Sequence, residues 1–113
     1  MEFIEEEDRQ FSELEKEVYI ALQAVIDPEL GVDVVNLGLV YDVRVDEEGH
    51  CEIDLTLTSI ACPLAGVIQE NARQEAMSVE GITSCHVEFV WYPAWSPDMM
   101  SRYARIALGI REG

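Results

Sequence analysis

His50-Cys51-Glu52-Ile53-Asp54-Leu55-Thr56-Leu57-Thr58-Ser59-Ile60-Ala61-Cys62-Pro63-Leu64-Ala65-Gly66 changes period along its length, and that change decides the fold. Up to Thr58, the apolar Cys51, Ile53, Leu55 and Leu57 alternate with His50, Glu52, Asp54, Thr56 and Thr58, which is the two-residue period of a half-buried strand. Beyond it, Leu64, Val67, Ile68, Ala72, Ala76 and Val79 mark one face of a helix that Gly81 can terminate. Pro63 suits the first helical position, where its missing N–H costs nothing, so Cys62 is the expected N-cap. A helix N-terminus offers unsatisfied amides and roughly half a positive charge. It therefore stabilises a thiolate, the form that attacks electrophiles and binds soft metals. The competing reading makes Cys62 a small apolar plug, because free cysteine is among the most buried residue types.

Working outward, Asp46-Glu47-Glu48-Gly49 is a turn, and a strand from about Leu39 to Val45 precedes it, so the pair forms a hairpin. Upstream, Leu14, Val18, Ala21, Leu22, Val25 and Ile26 recur at helical spacing behind a Ser12/Glu15 capping-box pattern. That helix is expected from about Glu13 to Val25, where Pro28 disfavours a helical Asp27. Downstream, Cys85, Val87, Phe89 and Trp91 alternate with His86, Glu88, Val90 and Tyr92 in a third strand. A helical crossover brings it in parallel to the second strand, either beside it or beside the first. Ser96-Pro97 offers a cap and first-turn proline for a last helix carrying Met100, Tyr103, Ala107 and Leu108. The order is αββαβα. It predicts an α+β fold, a two-layer α/β sandwich with one small three-stranded mixed sheet and helices packed on one face.

The 113 residues are expected to form an acidic mobile arm over residues 1–10 and a single domain over 11–113, with no linker or internal repeat between. With 23 acidic and 7 basic residues the net charge is −16, which repels nucleic acid and anionic membrane surfaces. No apolar run approaches the roughly 20 residues of a membrane helix, and the N-terminus is acidic where a signal peptide is basic. Three cysteines without close pairing fit free thiols in a reducing compartment, so the expected location is cytoplasmic.

The Asp27-Pro28-Glu29 loop is the other candidate group for chemistry, read either as a functional loop or as a turn in which Asp27 bonds nearby amides and Glu29 sits in water. If loop and thiol met, the carboxylates would raise the thiol pKa, and a cation would resolve the conflict. One soft sulfur with hard oxygens is an incomplete ligand set, suited to transient iron or a cluster and poor for permanent zinc. His50-Cys51 and Cys85-His86 begin two parallel strands, with the thiols in phase with apolar residues, which favours core packing over shared metal coordination. No P-loop, dinucleotide fingerprint or paired-histidine zinc motif occurs, and neither histidine lies near Cys62 in sequence. Trp91-Tyr92-Pro93-Ala94-Trp95 reads as Trp91 in the core with Trp95 packing the loop, or as an exposed aromatic contact through Trp91 and Trp95 for a partner protein.

Asp27-Pro28-Glu29-Leu30-Gly31, Val35-Asn36-Leu37-Gly38-Leu39-Val40-Tyr41, Thr58-x-x-x-Cys62-Pro63, Trp91-x-Pro93-x-Trp95 and Ala107-Leu108-Gly109-Ile110 together resemble the SufT and PaaD-like, or metal–sulfur cluster biosynthetic, family. The resemblance spans about Leu14 to Ile110 in order. It implies the iron–sulfur cluster assembly domain fold and a cytoplasmic, non-catalytic role in maturing iron–sulfur proteins. The implied partners are assembly proteins and client apoproteins; apart from the resemblance, the incomplete ligand set itself suggests a homodimer that completes it across a two-fold axis. It also implies one surface site made of Asp27, Glu29, Leu30, Thr58, Ser59 and Cys62, with Cys62 the transient ligand to iron or a cluster and no stable cofactor. Three alternatives stand beside the carrier reading. One is a metal-free adaptor that docks clients onto the assembly machinery, and another is a thiol enzyme. The third is a subunit of a phenylacetyl-CoA oxygenase-type complex, which the lack of a cysteine-rich stretch after Gly109 disfavours.

Overall fold

A computed structural model describes residues 13–58 and 64–109. The arm over residues 1–10 and the Ser12 cap lie outside them. Helix α1 covers residues 13–22 and buries Val18 and Leu22 completely. It stops short of the expected Val25. Gln23, Ala24 and Val25 donate to Ile20, Ala21 and Leu22 in a tighter i to i+3 turn, and the Val25 carbonyl already accepts from Val34. Glu15, expected to fold back on the cap, accepts the Val45 N–H at 3.2 Å through Oε2 and so ties α1 to the sheet.

The sheet holds β1 (Val40–Val45), β2 (His50–Leu55) and β3 (Ser84–Phe89) in the order β1-β2-β3. β1 and β2 are antiparallel, and β2 and β3 are parallel in register from His50 opposite Ser84 to Leu55 opposite Phe89. The third strand thus lies beside the second. Strands two and three are shorter than their alternation predicts, since Thr56 and Val90 carry on as irregular backbone bonded to Leu39 and Leu55. A register shift between Val40 and Asp42 makes Tyr41 the extra residue of a bulge.

Val43, Val45, Cys51, Ile53, Leu55 and Val87 form the apolar face of the sheet and share one core with Val18, Leu22, Ile68, Ala72, Ala76 and Ala104 from the helices. The opposite face carries Asp42, Arg44, Glu52 and Asp54, with Arg44 bridging Asp42 at 2.7 Å and Asp54 at 3.0 Å. One face covered and one solvated is what the alternation demands of an antiparallel hairpin. Helix α2 (Ala65–Met77) buries Ile68, Ala72 and Ala76 four residues apart, and the small alanines let it lie close to the sheet. Val67, placed on that face by period alone, is 50% exposed. Gln69 Nε2 donates to the Val87 carbonyl at 2.8 Å, satisfying an acceptor of β3.

The last helix is split. Pro97–Met99 is a single 3-10 turn, Met100 is extended and buried, and α3 (Arg102–Ala107) starts from Ser101, whose hydroxyl accepts the Ala104 N–H at 3.1 Å. Ser96 is extended but makes no side-chain cap, so the helix starts one turn later than Ser96-Pro97 predicts, with Tyr103 exposed and Ala104 in the core. Among the described residues no helix is long and apolar enough to cross a membrane.

Candidate functional site

The chain after α1 builds its site from a turn and a ladder. Asp27 donates its N–H to the Val32 carbonyl at 3.0 Å and accepts from Gly31 N–H at 2.8 Å, closing the turn over Pro28, Glu29 and Leu30. The Asp27 side chain is buried, and its Oδ1 accepts the amides of Glu29 at 2.8 Å and Leu30 at 3.2 Å. This is the Asx-type turn that the sequence offers as one of its two readings of the loop. The carboxylate therefore sets the loop's shape, while the Glu29 and Leu30 side chains face outward.

From that turn, backbone bonds run across the molecule. Val34 donates to Val25 at 2.9 Å, Leu39 to Val34 at 3.0 Å, and Thr56 to Leu39 at 2.8 Å. The ladder thus joins the 27–34 segment to the chain just past the end of β2. Thr56, expected to point outward, is buried because this pairing holds the strand's continuation against the core, as it does Leu57. Thr58 emerges exposed. Ser59 and Cys62 lie outside the described residues. Helix α2 takes Leu64 as its N-cap, and the Leu64 carbonyl accepts the Ile68 N–H at 3.0 Å. In sequence that cap falls two positions after Cys62. Proline thus marks the neighbourhood of a helix start and not its residue.

A second set of contacts, unread in the sequence, clamps the C-terminal segment on the 33–41 segment. Asp33 is buried and accepts Asn36 N–H at 3.0 Å and Asn36 Nδ2 at 2.7 Å. Asn36 Oδ1 accepts the Ser101 hydroxyl at 2.6 Å, and the Ser101 N–H donates to the Asn36 carbonyl at 2.8 Å. Tyr41, thrown out by the bulge, donates its hydroxyl to the Pro93 carbonyl at 2.7 Å. Trp95 donates its indole N–H to the Leu37 carbonyl at 2.8 Å. Asp33 and Asn36, three residues apart with turn-forming side chains, and Ser101 as a cap were the signals available for this clamp.

Trp95 packs the loop down as expected, half-buried. Trp91 does not enter the core: it is 44% exposed and stacks on Phe89 with ring centroids 6.2 Å apart. The pairing of Leu55 with Phe89 is the last in-register pair, so Trp91 lies beyond the paired strand. Tyr92 is fully in solvent beside an open groove of about 590 Å³ lined by Tyr41, Asp42, Asp54, Pro93 and Met99.

At the other edge of the sheet, Cys51 and Cys85 lie side by side on the helix-covered face, Cys51 wholly buried and Cys85 partly so. His50 on the opposite face contacts Glu52 at 2.9 Å and Ser84 Oγ at 2.6 Å. The Glu52 hydrogen bond raises the imidazole pKa. Among the described residues, no three of His, Cys, Asp and Glu converge as a metal site. The full burial of Cys51 agrees with reading it as a core residue.

The family model described as iron-sulfur cluster assembly protein matches residues 15–89. The Fe-S protein maturation auxiliary factor YitW of Bacillus subtilis (strain 168) is 50% identical over 98 residues, covering 87% of this chain and 96% of that protein. The Fe-S protein maturation auxiliary factor SufT of Staphylococcus aureus (strain USA300) is 54% identical over 86 residues, covering 76% of this chain and 98% of that protein. A crystal structure of a domain of unknown function, DUF59, from Bacillus anthracis matches the fold with a TM-score of 0.87 at 48% identity, covering 92% of this chain and 99% of that one. With the family model covering the sheet, α2 and the Asp27 turn, and near-full-length relatives at half identity, this chain is a member of the iron–sulfur cluster assembly protein family.

Proposed function

We propose that this protein serves the maturation of iron–sulfur proteins by accepting, positioning or handing over iron or a cluster through Cys62, at a surface formed with Asp27, Glu29, Leu30, Thr58 and Ser59. The observation that carries the reading is the backbone ladder from the Asp27 turn to Thr56, which leads the loop toward the end of β2 from which the Cys62 segment departs. Asp27, with one oxygen committed to two amides, acts as the positioning residue; Glu29 and Thr58, both exposed, are the oxygen donors beside the thiol. A single sulfur with oxygen donors is an incomplete set that holds iron or a cluster weakly, as a handover requires, and leaves the rest of the shell to a client, a small thiol or a second copy. The names of the two bacterial relatives, maturation auxiliary factors, support this role over catalysis or an oxygenase subunit. The reading places the protein in the cytoplasm with other assembly proteins.

The test is complementation of a deletion strain under iron limitation, scored by the activity of its iron–sulfur enzymes. The natural chain restores activity, and Cys62→Ser does not. Normal enzyme activity in the uncomplemented deletion strain would sink the maturation role altogether. A metal-free adaptor is the second reading, favoured by the exposed Trp91 and by Tyr92, which lines an open groove. Full complementation by Cys62→Ser, with loss of function in Trp91→Ala, selects it.

A further inference from the structure

The in-register pairing of Cys51 with Cys85 leaves two thiols adjacent on neighbouring parallel strands, at the edge of the sheet opposite Thr58. We propose that Cys85 and Cys51 form a peroxide-reactive dithiol site, in which a hydroperoxide oxidises Cys85 and Cys51 resolves it to a reversible intrachain disulfide. The pair has the asymmetry such a site needs. Cys85 is only partly buried at the second residue of its strand, while Cys51 is sealed at 0% exposure one strand inward. The attacking sulfur meets solvent and its partner is shielded from over-oxidation.

Charge favours the same division. The neighbouring Cys51 thiol stabilises a Cys85 thiolate, and Arg73 of α2, His50 of β2 and His86 of β3 add positive or partly positive charge around it. The neighbouring Cys85, burial, and the negative charge of Glu15 of α1 and of Glu52 on the far face of β2 keep the Cys51 thiol protonated. A thiolate beside a buried thiol, with Arg73 and two histidines near enough to favour its charge, is the environment that selects one cysteine for peroxide.

The chemistry balances in two steps. Cys85 sulfur attacks the distal oxygen of the hydroperoxide, an S–O bond forms, the O–O bond breaks, and the departing alkoxide takes a proton to leave as alcohol or, from hydrogen peroxide, water. Cys51 sulfur then attacks the Cys85 sulfenic sulfur, the S–O bond breaks, and the departing hydroxide leaves with the Cys51 proton as water. The two thiols lose two electrons and two protons, and the hydroperoxide gains them. Neighbouring strands lie about 4.8 Å apart, inside the roughly 4.4–6.8 Å range of Cα separations that disulfides span. In-register parallel side chains, however, project together, so their Cβ atoms start slightly beyond the spacing of a relaxed disulfide. The resulting bond is strained and therefore easily reduced, as a reversible modification must be.

Cys62→Ser isolates the pair, because it leaves two thiols of the original three. Purified, reduced Cys62→Ser protein is treated with hydrogen peroxide, denatured, alkylated and digested. The expected result is loss of both titratable thiols, a linked Cys51–Cys85 peptide in a monomeric chain, and full recovery with dithiothreitol. Cys51→Ala should divert the reaction to a dimedone-trapped sulfenic acid on Cys85, and Cys85→Ser should abolish peroxide consumption. Should Cys51→Ala fail to fold, Cys85→Ser and the linked-peptide assay decide alone. Both thiols surviving peroxide that oxidises free cysteine, linkage only between chains, or irreversible sulfinic acid at Cys85 overturns the proposal.

Discussion

Two glycines with nearly the same backbone make a controlled experiment on the C-terminal clamp. Gly31 has φ +73° and Gly38 φ +78°, so alanine at either position enters the left-handed region at a cost of ~1–2 kcal/mol. Their surroundings differ. A Cβ on Gly31 meets nothing within 4 Å, whereas a Cβ on Gly38 lands 2.3 Å from the Met99 carbonyl oxygen and 2.8 Å from its carbon. Both are backbone atoms that no rotamer change can move aside. Gly38→Ala must therefore lift the 97–99 turn off the 33–41 segment, an overpacking cost of about 1–3 kcal/mol. The lift also strains the bonds from Trp95 to Leu37, Tyr41 to Pro93 and Ser101 to Asn36, each worth about 1 kcal/mol. Gly31→Ala should lose ~1–2 kcal/mol in urea denaturation, and Gly38→Ala roughly 3–6 kcal/mol, a large share of a domain's usual stability. The two tryptophans report directly, since both belong to the 91–95 segment that the substitution displaces. Equal losses in the two variants would refute the clamp.

Other consequences follow from single contacts. Trp95→Phe keeps an aromatic ring but removes the donor to the Leu37 carbonyl, and should cost about 1–2 kcal/mol by the same denaturation assay. Asp27→Ala strips two backbone amides of their acceptor and should cost ~1–3 kcal/mol, with faster hydrogen exchange at Glu29 and Leu30 while the strands keep their protection. Glu52 holds the His50 pKa above the ordinary imidazole value of about 6.5, so its charged form is favoured in the fold. The stabilising increment from this exposed pair is then fully present below that value and is lost as pH rises through the raised one. Proton NMR should show the His50 midpoint falling in Glu52→Gln; an unchanged midpoint contradicts the pairing.

The strands were legible because each has one wet and one dry face, so Cys51, Ile53 and Leu55 betray β2 without reference to anything distant. The same alternation could not say where β3 sits, since an apolar face looks alike beside β1 or β2; only the parallel register with Cys51 opposite Cys85 decides it. Thr56 misled for a related reason: its side reflects a ladder to Leu39, seventeen positions away in sequence, and not its own strand's period. The Asp27 turn was readable as local side-chain-to-amide chemistry. The pairing of Asn36 with Ser101 was not, because it joins segments 65 residues apart. Proline misdated both helix starts: Pro63 stands one position before the Leu64 cap in sequence, and Pro97 opens a 3-10 turn that ends before Ser101 caps α3.

The carrier role stands or falls on whether Cys62 holds the cargo. The measurement is anaerobic reconstitution with ferrous iron and sulfide, following visible absorbance and iron per chain in the natural protein beside Cys62→Ser. The account predicts a chromophore and bound iron that a strong chelator removes, both lost in Cys62→Ser. Iron retained equally by both proteins, or by neither, contradicts it.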